Sequence, residues 1–470
     1  MNPQSQPPPQ EQPQLQKPAT PTYILRGHAT PIHSLNLYHQ NRRLLSGDAA
    51  GYLIVWDVGT KRPAAAWKAH DGAILEATAF FFPGGTGDGV DAGGRTVVYS
   101  HGRDHKLCVW VFSVLDERDG GLGRVLPVDL LADQGISIGR QPWLLHSLSV
   151  NALNFCAFSM AFLSSASGSG SVLRVEGEGS GASPTAAATA AATADGTAEA
   201  HAPAAPPSPP VLLAVPNALN SGAIDLFHLP SETRVSTIPA DPDVQTGMVM
   251  ALRLLVRADA IYVLSAFEDG RVMVFRCMKP CLPGQGSGAK SQWHWEKLYA
   301  CRAHSQPVLA LDLAPSAGCF FSSAADASIV KHPLGSLGSG LVTQPLKTVN
   351  TKHAGQQGLR VRADGKILAT AGWDSRVRVY SCKTLKELAV LRWHKEGCYA
   401  VAFAEVQGQV PLDGGRAGGS RQGDAPGEDE IREEDRSLAA VQRLRDLKVQ
   451  QTHWVAAGSK DGKISLWDIY

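Results

Sequence analysis

The chain has 470 residues, 44% of them apolar, and a formal net charge of +1. That length buries one large core or two ordinary ones, and the absence of any apolar run of about 18 residues argues against a membrane-spanning helix. So small a charge supplies no overall basic field of the kind that counterion-releasing nucleic-acid binders use, so neither nucleic acid nor a membrane is an expected partner.

The first segment, Met1 to Thr20, is Pro/Gln-rich and has no basic region, apolar core or cleavage site, which predicts a disordered tail rather than a signal peptide. Together with cysteines scattered from Cys108 to Cys398, it points to a reducing, intracellular compartment. From Tyr23 onward, an alternating apolar run, a small-residue turn and a second alternating run recur, the period-two pattern of short strands joined by tight turns. In chain order the copies read SGDAAGYLIVWD (Ser46 to Asp57), SHGRDHKLCVW (Ser100 to Trp110), ALNSGAIDLFH (Ala218 to His228), SAFEDGRVMVF (Ser265 to Phe275), SSAADASIVKH (Ser322 to His332), ATAGWDSRVRVY (Ala369 to Tyr380) and AAGSKDGKISLWD (Ala456 to Asp468). The third and fifth are the weakest.

A histidine stands seven residues before an inner-strand position in most copies: His28 and Leu35, His70 and Ala77, His146 and Leu153, His304 and Leu311, His353 and Arg360, His394 and Val401. In the fourth copy Gln245 fills the slot before Leu252. An aspartate marks the turn between second and third strands as Asp104, Asp269, Asp326, Asp374 and Asp461, whereas the first and third copies carry Ala50 and Ser221 there. An aromatic commonly follows six residues later. These are the marks of the WD repeat, and their number predicts an all-β, seven-bladed WD40 β-propeller spanning residues 21–470.

The residue types suit a buried hydrogen-bond network. The aspartate accepts from turn amides and from a histidine ring, while a serine or threonine and a tryptophan complete the chain of bonds. The second copy has the full set, His70, Ser100, Asp104 and Trp110; the same structural role is expected for His304, Asp326, His353, Asp374, His394, Asp461 and Trp467. Such a charge-assisted link contributes on the order of 1.5–3 kcal/mol. The last copy has three strands and only Ile469 and Tyr470 after them, so its fourth strand is expected from Tyr23 to Leu25, which closes the ring and covers an open sheet edge.

Composition shifts mark long insertions, expected to be disordered, at 83–94, 164–210 and 407–430. After the last of these, 431–450 has good helix formers with Leu438, Val441, Leu444 and Leu447 three apart. That pattern fits a helix on the propeller rim, a partly disordered segment or a partner-docking helix.

Catalysis is not expected, because the His, Ser and Asp residues recur at matched positions as a structural network requires. The run GQGSGAKS (Gly284 to Ser291) has Ala289 where a phosphate loop needs glycine, and it joins blades rather than opening a helix. Cys277 and Cys281 lack a second ligand pair at zinc-finger spacing, so neither metal nor cofactor is predicted. What remains is surface recognition. The residue before each turn aspartate faces the narrow side of the ring, and Arg103, Glu268, Ala325, Trp373 and Lys460 stand there. An aromatic among charges is the composition of an interface anchor, so Trp373, with Arg103, Glu268 and Lys460, is the candidate partner-binding set; the alternative is that Trp373 packs on an adjacent loop. Trp67 and Trp393 are expected in outer-strand packing.

The segments ILRGHATPIHSLNL, LLSGDAAGYLIVWD, VPNALNSGAIDLFHLPS, TAGWDSRVRVYS and WVAAGSKDGKISLWDIY together resemble the fungal ASTRA-associated protein 1 family, which is related to the animal G-protein-β-subunit-like protein. The resemblance runs from about Tyr23 to Tyr470 outside the long loops. It implies a scaffold subunit of the nuclear ASTRA assembly, involved in chromatin remodelling, whose partners are other ASTRA components, RuvB-type AAA+ ATPases and the co-chaperones that mature phosphatidylinositol-3-kinase-related kinases. It implies a nuclear location, with the cytoplasm as a second compartment. A substrate receptor of a cullin-type ubiquitin ligase is the competing class, but its basic residue two places after WD is replaced by Gly59 and Tyr470. The paired-Arg motif of a phosphoinositide-binding propeller is absent.

Overall fold

The computed structural model describes residues 19–84, 93–118, 121–132, 139–151, 156–163, 209–278, 293–338, 340–406 and 438–469. Most of the long insertions expected from composition, together with Leu153, Cys281 and the GQGSGAKS run, lie outside the described residues. In chain order, β1 (Tyr23–Arg26) precedes blade 1, made of β2 (Ile32–Tyr38), β3 (Arg43–Asp48), β4 (Tyr52–Asp57) and β5 (Arg62–Lys68). Blade 2 holds β6 (Ile74–Phe82), β7 (Arg95–Gly102) and β8 (Lys106–Ser113), then the short helices α1 (Val114–Arg118) and α2 (Pro127–Ala132), then β9 (Trp143–Ser149). Blade 3 holds β10 (Ser159–Phe162), β11 (Val211–Pro216), β12 (Ile224–Leu229) and β13 (Thr233–Ile238); blade 4 holds β14 (Val249–Val256), β15 (Ala260–Phe267), β16 (Arg271–Met278) and β17 (Trp295–Arg302). Blade 5 holds β18 (Val308–Leu313), β19 (Cys319–Ala324), β20 (Ser328–Pro333) and β21 (Lys347–Asn350); blade 6 holds β22 (Gln356–Val361), β23 (Ile367–Gly372), β24 (Arg376–Ser381) and β25 (Glu387–Arg392). Blade 7 holds β26 (Cys398–Phe403), α3 (Leu438–Gln451), β27 (Trp454–Ser459) and β28 (Lys463–Asp468).

Each blade is a four-stranded antiparallel sheet in sequence order, except that β1 supplies the outer strand of blade 7. It pairs antiparallel with β28, Tyr23 opposite Leu466 through Arg26 opposite Lys463, as the sequence predicts. Leu25 is buried there with Ile464 and Leu466, so closure rests on packing as well as on the ladder.

The interior is not one core but a set of inter-blade cores. One cluster joins Ile32 and Leu35 of blade 1 to Trp454 and Ile464 of blade 7, a second joins Trp67 to Trp110 and Phe112 between blades 1 and 2, and the series continues around the ring. Strands buried on both faces read as near-continuous apolar runs, as in VLLAV of β11. Trp67 lies in the outer strand of blade 1, edge-on to Trp110 at 6.2 Å, and Trp393 packs edge-on to His394 at 4.9 Å.

Two outer edges are covered by neighbouring chain. The amide of Ala66 in β5 donates to Gly123 O, from the segment between α1 and α2, and Val342 bridges in parallel to Tyr299 of β17. Helix α3 turns Val441, Leu444 and Leu447 to solvent, with Leu444 64% exposed, and is held instead by Val449, which packs with Trp454 and whose carbonyl accepts its indole N–H at 3.1 Å. No described helix is long and apolar enough to cross a membrane.

Candidate functional site

Beneath the face formed by the turns between second and third strands, the one expected to be narrow, lie the His–Asp networks. In blade 2, His70 Nδ1 lies 2.9 Å from Asp104, His70 Nε2 lies 2.8 Å from Ser100, and Trp110 donates to the same hydroxyl at 3.0 Å. With the carboxylate as acceptor, Nδ1 carries the proton, and the hydroxyl donates to Nε2 while accepting from the indole. Burial lowers the His70 pKa against the opposing pull of Asp104. Burial pushes Asp104 upward, but the His70 ring and the Asp71 and Lys106 amides outweigh it and hold the carboxyl below its usual value.

Blade 1 has the same network from a residue outside the expected slot. Asp48, fully buried, meets His28 at 2.8 Å and accepts from the amides of Ala50 and Tyr52 at 3.0 Å each, while Ser46 joins His28 and Trp56. The geometry is visible at Gly102, which corresponds to Asp48: a side chain there would run into the His70 ring and the Asp104 carboxylate. A carboxylate can therefore reach the ring from either position, and Ala50 does not leave blade 1 incomplete.

Blade 5 replaces the tryptophan by His332. His304 contacts Asp326 at 3.1 Å and Ser322 at 2.7 Å; His332 Nε2 lies 2.7 Å from Ser322, and its Nδ1 accepts from Tyr299 at 2.8 Å. An imidazole N–H mimics the indole, but its second nitrogen needs a donor, which Tyr299 supplies. Burial drives the His332 pKa well below its ordinary value, keeping the ring neutral. In blade 7 the hydroxyl has crossed the sheet: Ala457 fills the usual serine slot, and its cross-strand partner Ser465 bonds His394 and Trp467, both at 2.8 Å. Asp461 lies 3.5 Å from His394; despite burial, this contact and the Lys463 amide bring its pKa to about 2.

Two expectations are corrected. His353 does not complete a network with Asp374: it stands 3.9 Å away, while the buried Arg378 binds that carboxylate at 2.5 and 3.1 Å. The register explains why. Leu359, not Arg360, opposes Thr370 as Leu35 opposes Ser46, so the histidine slot falls on Lys352 and His353 is one residue late. His146 lies within β9, opposite Val109 and bonded to Glu232 at 2.6 Å, and does not enter blade 3. There Asn217 instead links Asn151 to Asp225. Blade 4 has Gln245 in its histidine slot, and its Asp269 is held by Arg271 at 2.9 Å.

The narrow face collects the candidate binding residues unevenly. Trp373 is 49% exposed; its ring lies against Gly355, whose φ of +72° and contact with the indole exclude a side chain, and its N–H donates to Gln357 at 2.7 Å. Gly397 adjoins the Trp373 backbone and accepts from the Lys460 amide at 2.9 Å, so Trp373 and Lys460 are neighbours. Tyr399 touches Gly397 and meets His33 edge-on at 5.8 Å, and Arg103 lies close enough to His33 to depress its pKa, after the larger effect of burial. Glu268 belongs to blade 4 and accepts from the Met248 amide at 3.1 Å, apart from this group.

The sequence reading missed the channel mouth. In six blades the inner strand bulges at its second residue, turning His33, Leu75, Met250, Leu309, Gln357 and Tyr399 into a cavity of about 110 Å³. Five of these stand five residues after the blade's His or Gln slot, a regularity present in the chain but with no shared residue type to mark it. Arg360 and Glu76 meet across the channel at 2.9 and 3.1 Å. Among the described residues, no group of three or more His, Cys, Asp or Glu could hold a metal ion.

Seven four-stranded blades in a closed ring, with His–Asp networks under the narrow face, make this chain a WD-repeat β-propeller. The model of the WD domain, G-beta repeat, matches residues 19–57, 344–381 and 449–468. The chain is 54% identical to ASTRA-associated protein 1 of Aspergillus flavus, over 97% of this chain and 99% of that one, and 53% identical to the protein of the same name from Aspergillus niger, over 97% and 98%. The Schizosaccharomyces pombe protein of that name is 31% identical over 82% of this chain and 93% of its own. The chain belongs to the ASTRA-associated protein 1 family.

Proposed function

We propose that the protein is a non-catalytic scaffold subunit of a nuclear ASTRA assembly, acting in chromatin remodelling and in the maturation of phosphatidylinositol-3-kinase-related kinases. Its partners in this reading are the other ASTRA components, RuvB-type AAA+ ATPases and kinase co-chaperones. The observation that carries it is 53–54% identity, over nearly the whole chain, with relatives named for association with ASTRA. The chemistry of the ring supports a scaffold: the hydroxyls of Ser46, Ser100 and Ser322 are buried within their networks, and burial raises the thiols of Cys382 and Cys398 to about 12, far from a nucleophile's working range. Trp373, with Lys460 and Arg103 near the channel-lining Gln357, Tyr399 and His33, is the proposed partner-binding group, and Glu268 is a separate contact on blade 4.

The test is affinity purification of the full-length tagged chain from its own cells, with bound proteins identified by mass spectrometry. RuvB-type ATPases or kinase co-chaperones should be recovered, and Trp373→Ala should lower their recovery about tenfold or more, as loss of an aromatic hot spot does, with an unchanged unfolding midpoint. Recovery of neither class of partner would refute the assignment.

A further inference from the structure

The narrow face of blades 6 and 7 carries positive charge that the fold itself does not neutralise. Arg376, Arg392, Lys395 and Lys460 have no carboxylate within ion-pair distance among the described residues. The nearby turn aspartates are already committed: Asp374 to Arg378, and Asp461 to His394 and Lys463. Like charges also face each other directly across strands at this end of both blades, Arg376 opposite Arg392 and Arg26 opposite Lys463. Like-charge pairs in that position destabilise a sheet. In blade 4 the comparable pair, Arg271 opposite Arg302, is relieved by Asp269 on Arg271, a relief that Arg376 and Arg392 lack. Within this cationic arc stands Trp373, half-exposed and fixed by Gln357.

We propose that this arc is the docking site for an acidic segment of a partner protein, whose Asp and Glu side chains neutralise Arg376, Arg392, Lys395 and Lys460 while an apolar side chain packs on Trp373. Charge complementarity selects the occupant: an acidic segment relieves the Arg376 and Arg392 pair, and a fixed aromatic among cations suits a mixed acidic and apolar sequence. A nucleic-acid strand fits less well. The chain's net charge is +1, Glu396 sits among the cations, and Trp373 is exposed while the nearby Trp393 and Tyr399 are half-buried, where a single strand would need a series of open stacking rings.

The proposal rests on the scaffold reading, and the experiment separates the two. Full-length tagged protein, purified with its partners, is treated with a zero-length carbodiimide cross-linker that joins lysine amines to carboxylates. Cross-links from Lys395 or Lys460 to Asp or Glu of a partner are expected. The double variant Lys395→Glu/Lys460→Glu should lower recovery of that partner about tenfold or more with an unchanged unfolding midpoint. Lys383→Glu, in the turn between β24 and β25 on the opposite face, should have no effect. Partners recovered with cross-links only elsewhere, and undiminished by the double reversal, would overturn the acidic-segment proposal and leave the scaffold reading standing. Loss of partners on nuclease treatment would assign the arc to nucleic acid and overturn it as well. Recovery of no partner at all would remove the scaffold reading and the proposal together.

Discussion

Asp48→Ala is the sharpest perturbation of the ring. The carboxylate accepts from His28 at 2.8 Å and from the amides of Ala50 and Tyr52 at 3.0 Å each, and it is fully buried. Truncation leaves a buried imidazole N–H and the Tyr52 amide without acceptors, while the Ala50 amide keeps Thr30 Oγ1 at 3.1 Å. With about 1–3 kcal/mol for the buried ring and about 1 kcal/mol for the Tyr52 amide, the loss is about 2–4 kcal/mol. Urea unfolding followed by intrinsic fluorescence should show a lower midpoint at unchanged m, the mark of a stability change without a change in exposed surface. The companion variant Asp48→Gly/Ala50→Asp rebuilds in blade 1 the Gly102 and Asp104 arrangement of blade 2, and it should regain more than half of the loss. A double variant no more stable than Asp48→Ala would refute the claim that the two positions reach the same ring.

Ser465→Ala should cost about 2–4 kcal/mol, because His394 and Trp467 both lose their buried partner, and Ala457→Ser added to it should recover stability by returning the hydroxyl to the neighbouring strand; chemical denaturation checks both. Leu25→Ala, at the closure strand, should cost about 2–4 kcal/mol in the same assay, and a neutral result would show that β1 does not hold the ring shut. Acid should destabilise the protein in two stages. His101, lowered to about 4 first by burial and then by His70, binds fewer protons folded than unfolded between pH 6.5 and 4, so its contribution of about 3 kcal/mol is present above 6.5 and disappears as pH falls through that window. Asp461, lowered from 3.8 to about 2, loses its contribution from about pH 4 down to 2; melts at pH 7.5, 5 and 3 should show stability falling at each step.

The blade count, the strand order and closure by Tyr23 to Leu25 were legible because period-two patterning and the turn residues are local properties. The networks were legible only where every member kept its own slot, as in His70, Ser100, Asp104 and Trp110. Elsewhere the third dimension offered substitutes that spacing does not reveal. Asp48 reaches from two residues upstream, Ser465 from across the ladder, and Arg378 takes the carboxylate that His353 misses by one position. His146 kept the seven-residue offset yet belongs to an outer strand, because the insertion carrying α1 and α2 postpones β9. Trp373 could be singled out from its turn, but its neighbours at the channel mouth are set by the bulges, which have no composition signal of their own.

The contact between Arg360 and Glu76 ties the inner strands of blades 2 and 6 across the channel, although 284 positions separate the two residues in the chain. Arg253 and Asp312 add a second tie at 3.1 Å between blades 4 and 5. A ring braced along a chord resists becoming oval on that axis, so blades 2 and 6 move together when the propeller is strained. The same brace spans part of the axial passage, so a molecule approaching along that axis meets an ion pair.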